Sequence, residues 1–123
     1  VGPVRGDLSG PELRRAALRA MRTVVANLGI DARHVVFGHT HRFGPLPHDD
    51  AGEWTAPGGA RLHNSGSWIF ERFLVGETAA DNPGRPGPHP YWPGGVVRVD
   101  GDAVSATRLL EDRTRAELIA GPA

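Results

Sequence analysis

The chain has 123 residues, no cysteine, and 14 basic side chains, all arginine, against 14 acidic ones, so its formal net charge is zero. Balanced charge gives no reason to expect nucleic acid or an anionic membrane as partner. The lack of thiols excludes a disulfide scaffold or thiolate metal site, and no apolar run approaches the length of a membrane span or opens the chain as a signal peptide. The expectation is one soluble, cytoplasmic domain, long enough to bury a core, in which any metal is held by His, Asp, Glu or Asn.

Residues 1–8 carry Gly-Pro and Gly-Asp pairs and read as a loop. Ser9-Gly10-Pro11-Glu12 then has the form of a capping box, with Pro11 where no amide partner is needed. Leu13, Ala17, Met21, Val24 and Leu28 fall on one helical stripe, widened by Leu18 and Val25, and Arg15, Arg19 and Arg22 lie on the other side as a solvated face. Gly29 stands where a left-handed residue ends a helix. A connector over 30–34, including His34 as a surface or packing residue, leads to the apolar strand Val35-Val36-Phe37.

Gly38 ends that strand, and His39-Thr40-His41-Arg42 follows at its carboxyl end, where open α/β folds place their chemistry. If extended geometry persists through Thr40, the two imidazoles point to the same side. If the chain turns at Gly38, they reach two different points. Neutral imidazole is the commonest protein metal ligand, so His39 and His41 are the candidate ligands.

A polar turn with His48, Asp49 and Asp50 comes next, then two short strands, 53–55 and 60–64, joined around Pro57-Gly58-Gly59. Asn64-Ser65-Gly66-Ser67 reads as a tight loop of small residues. The aromatic and β-branched run 68–75 reads as a strand. Residues 76–95 are half Pro and Gly and form a long loop, with Tyr91 and Trp92 to pack it down. The alternating runs 96–99 and 103–109 around Asp100-Gly101-Asp102 predict a hairpin, and 111–119 a short terminal helix.

Together, Val35-Val36-Phe37-Gly38-His39-Thr40-His41-Arg42, the strand entering Asn64-Ser65-Gly66-Ser67-Trp68, and the closing hairpin resemble the C-terminal part of a calcineurin-like metallophosphoesterase. The resemblance covers most of the chain from Ser9 onward, 76–95 least. It implies an α/β fold: the C-terminal part of a β-sandwich flanked by helices (α/β/β/α), mostly β after an N-terminal helix. It also implies hydrolysis of a phosphomonoester or phosphodiester by a dinuclear centre of Mn, Fe or Zn, with His39 a ligand of one metal and His41 of the other. Arg42 and Asn64 become candidate contacts for substrate phosphate.

The family's earlier motifs, Asp-x-His and Gly-Asn-His, do not occur, and Gly6-Asp7 matches two letters of another with no strand before it. With Val rather than Met at position 1, the expectation is a single partial domain spanning 1–123, inactive alone, that pairs with a missing N-terminal part or a second copy. The alternatives are a non-catalytic scaffold that lost its metal centre, and a mononuclear site formed by His39, His41 and a carboxylate such as Asp49.

Overall fold

Helix α1 (Gly10–Asn27) dominates the first third of the chain. In the computed structural model, which describes residues 10–75 and 89–120, it is one of three helices, beside two two-stranded sheets. The Ser9 cap and 76–88 lie outside the described residues. No described helix is long and apolar enough to cross a membrane.

The helix ends as the sequence predicts. Gly29 has φ 59°, its amide bonds to Ala26 O, and Ile30 N bonds to Val25 O. That pair of reversed bonds satisfies carbonyls the last turn leaves free, and its left-handed residue costs glycine no Cβ clash. The buried seam, however, is Leu18, Met21 and Val25, while Val24 and Leu28 are 41% and 70% exposed. Periodicity locates a broad apolar stripe, but the sheet selects which edge of it is covered. The arginine face also differs from expectation. Arg14 meets Glu53 at 3.0 Å, and Arg22 donates to the Gly52 and Glu53 carbonyls, so this side clamps the turn before residue 55.

Strands β1 (His34–Phe37) and β2 (Arg61–Asn64) pair in parallel, Val35 opposite Leu62 and Phe37 opposite Asn64. His34 is thus the first residue of the strand, not a connector residue. Alternation sends Val35, Phe37 and Leu62 toward α1, where they join Leu18, Val25, Trp54, Ala56 and Ala60 in one core. His34, Val36, Arg61 and His63 take the opposite face.

Residues 53–55 do not form the predicted strand. Glu53, Trp54 and Thr55 amides each bond to a carbonyl three residues earlier, a helical kind of turn, and only a single bridge joins Thr55 to Arg61. The Asp50 carboxylate starts this turn by accepting from Gly52 N. The run 68–75 is not a strand either: its end forms α2 (Arg72–Val75), with Val75 N bonded to Glu71 O. A short apolar run does not declare its period, and no described strand pairs with this one. Val75 instead packs with Tyr91 and Trp92, joined by Phe70, Leu74 and Leu118.

The hairpin forms as predicted. β3 (Gly95–Asp100) and β4 (Ala103–Arg108) pair antiparallel across a two-residue turn at Gly101-Asp102. Its base docks on the loop after β2: Gly94 N donates to Ser67 O, and Trp68 Nε1 to Gly95 O. Arg108, at the end of β4, is buried over Phe43 and donates to the His89 and Trp92 carbonyls. That burial pushes its pKa down to about 10. The last helix, α3 (Arg115–Ala120), begins later than the predicted residue 111 because Thr114 and Glu117 form a capping box.

Candidate metal site at the end of the first strand

The chain leaves the strand at Gly38 and bends at His39 and Thr40. Both histidines have left-handed backbone, φ 76° at His39 and 62° at His41, so the extended geometry does not continue into the pair. Left-handed backbone costs a residue with a Cβ roughly 1–2 kcal/mol, and such strain persists only where surrounding structure holds it. The holding residue is Asn64. It is 1% exposed at the end of β2, its side-chain amide donates to Thr40 Oγ1 at 2.5 Å, and its Oδ1 accepts from Gly66 N at 2.9 Å. Ser65 N bonds to Phe37 O, which closes the carboxyl ends of the two strands together. Thr40 is therefore fixed from beside, between the two histidines.

His39 is exposed. His41 is half-buried, with Nδ1 3.7 Å from Glu71 Oε1. Among the described residues, no group of three or more His, Cys, Asp or Glu side chains could hold a metal ion.

Arg42 turns inward from the same loop. Its guanidinium grips both oxygens of Asp49 at 2.7 and 2.9 Å, donates to Phe43 O, and lies 5.5 Å from the Trp54 ring centre. The two side chains are 7% and 3% exposed. Burial alone would push the Asp49 carboxyl up; bonds from Arg42 and the Leu46 amide, with the charges of Arg42 and Arg14, outweigh it and hold its pKa below the ordinary value. Asp49 is thus engaged away from the histidines, while His48 stands exposed in the turn.

No protein-family model, curated protein or solved structure matches the chain.

Beside His39 and Thr40 lies an apolar cavity of about 330 Å³, walled by Leu13 and Ala17 of α1, Phe37, Phe73 and Tyr91, with Arg42 and Asn64 at its polar side. Of the four predicted site residues, His39, Arg42 and Asn64 line this cavity and His41 does not. His39 is exposed, His41 is half-buried beside Glu71, Asn64 shapes the turn, and Arg42 is committed to Asp49. Sequence reasoning missed a second histidine pair, His34 and His63. Its only signal was parity on neighbouring strands, which becomes readable once the β1–β2 register is known.

Proposed function

We propose that this chain contributes His39 and His41 to a dinuclear metal centre that hydrolyses a phosphomonoester or phosphodiester, as the C-terminal part of a metallophosphoesterase sandwich. The observation that carries this reading is the His39-Thr40-His41 turn: two imidazoles flank a pinned threonine at a strand's carboxyl end, each on left-handed backbone that only a held turn tolerates. Divalent ions of the Mn, Fe or Zn kind, held in part by His39 and His41, would supply Lewis acidity toward the phosphoryl group. The described residues furnish two of the ligands and not the bridged set that a metal pair needs. The remaining ligands come from a further segment or a second copy.

The other residues serve this arrangement. Asn64 pins Thr40 between the two histidines, the Arg42–Asp49 pair stiffens the loop that follows, and the cavity beside His39 receives the apolar part of the ester.

The test is Mn²⁺ content and hydrolysis of bis(p-nitrophenyl) phosphate by the native polypeptide that carries this chain. His39→Ala and His41→Ala are each expected to abolish both. Undiminished hydrolysis in the two variants would overturn the assignment.

A further inference from the structure

We propose that His34 and His63 form a separate two-imidazole chelate for a late divalent transition metal, Cu²⁺ or Ni²⁺, on the sheet face turned away from α1. In the β1–β2 register His34 lies opposite Arg61 and Val36 opposite His63, so the histidines are diagonal neighbours on one face. His34 Nδ1 and His63 Nε2 stand 3.0 Å apart, with ring centres 5.2 Å apart and planes inclined at 42°. The strand register fixes the backbone spacing of the two histidines, and the 3.0 Å contact between their rings is a hydrogen bond that a metal would replace.

The facing nitrogens already stand within chelating reach of one ion. With metal–nitrogen bonds of ~2.05 Å, nitrogens 3.0 Å apart subtend about 94° at a shared ion. That is close to the cis angle of tetragonal or octahedral coordination, the preference of Cu²⁺ and Ni²⁺, and narrower than a tetrahedral site requires. The ion lies about 1.4 Å off the line between the nitrogens at those bond lengths, so the rings swing outward while the strands stay in place. The hydrogen now shared between the facing nitrogens moves to the donor ring's other nitrogen, and both rings coordinate as neutral imidazoles. Both histidines are half-buried and Val36 beside them is 44% exposed, so the remaining coordination positions open to water. Exposed Arg61 on the same face opposes the cation, and with no carboxylate in the pair the affinity rests on the two nitrogens.

A metal here would staple β1 to β2 behind the His39 turn. It would raise the unfolding temperature, because the unfolded chain does not hold the pair together.

The test uses the native polypeptide carrying His39→Ala and His41→Ala, so that the other histidine pair is silent. Calorimetric titration with Ni²⁺ is expected to show one ion per chain, lost when His34→Gln or His63→Gln is added, with folding checked by circular dichroism. Electron paramagnetic resonance of the unmodified His34–His63 pair loaded with Cu²⁺ is expected to show coupling to two imidazole nitrogens, a readout that does not depend on how the glutamine variants fold. Binding that survives both glutamine substitutions, or a Cu²⁺ signal without two nitrogens, would overturn the proposal.

Discussion

The side-chain amide of Asn64 donates to the hydroxyl of Thr40 across 2.5 Å, and this bond joins the end of one strand to the centre of the histidine turn on its neighbour. Thr40→Val keeps the shape and removes the acceptor, leaving a buried amide unpaired. The expected loss is about 1–3 kcal/mol of stability. Asn64→Ala should cost more, since it also frees the Gly66 amide. Denaturant unfolding of the two single variants and the double variant measures the coupling, which should be close to 1 kcal/mol for a neutral pair. If the coupling is nil, the bond does not hold the turn.

With His39 and His41 as the proposed ligands, loosening that turn should also weaken metal binding without removing either imidazole. Asn64→Ala and Thr40→Val are expected to lower Mn²⁺ affinity of the native polypeptide by about 10–100-fold, as loss of an orienting partner does. Equilibrium dialysis gives the answer, and unchanged affinity would separate the turn from the metal.

Asp49 makes the fold sensitive to acid. Its carboxyl titrates below the ordinary value of 3.8, so the unfolded chain takes up the proton first. The Arg42–Asp49 contribution is therefore complete above about pH 3.8 and fades as pH falls through the lower folded value. Arg42→Met leaves the carboxylate buried without its partner and should cost about 3–5 kcal/mol at neutral pH. Unfolding curves between pH 2 and 7 test both statements, and the variant should lose less stability on acidification than the parent.

Gly95 admits no side chain. A Cβ there would stand 2.2 Å from the Ser65 carbonyl and 2.5 Å from the Phe43 ring. Gly95→Ala must push the hairpin off the loop after β2, at a cost of about 1–3 kcal/mol or more. Loss of protection in hydrogen exchange at the Gly94 amide, which bonds to Ser67, would report the displacement directly.

Leu62 is fully buried at the centre of the α1–sheet core. Leu62→Ala should destabilise by about 2–5 kcal/mol, the spread depending on how far Leu18 and Trp54 close the void. A thermal melt suffices to check it.

Local chemistry was legible in the sequence and tertiary choice was not. Gly29, the Val35–Phe37 strand and the Gly101 turn carry their own signals, and each element forms where expected. Periodicity places Val24 and Leu28 on the apolar stripe of α1, but the sheet covers only the edge that carries Leu18 and Val25, so both stay exposed. The run 68–75 has strand composition, but a strand needs a ladder partner, and 71–75 satisfies its backbone within a helical turn instead. At the candidate site, position was readable and role was not. Arg42 stands beside the histidines in sequence, yet its partner Asp49 lies across a turn whose shape no residue count reveals.

The left-handed backbone of His39 and His41 has a consequence for what selection can do at this turn. Asparagine tolerates that conformation better than histidine does, so His39→Asn and His41→Asn should yield a protein that folds more firmly and binds metal less well. Chemical unfolding of the two variants should show raised midpoints. At this turn the side chain that could hold a metal and the backbone conformation it sits on pull in opposite directions. A search for hardier variants of this chain would erode the turn first.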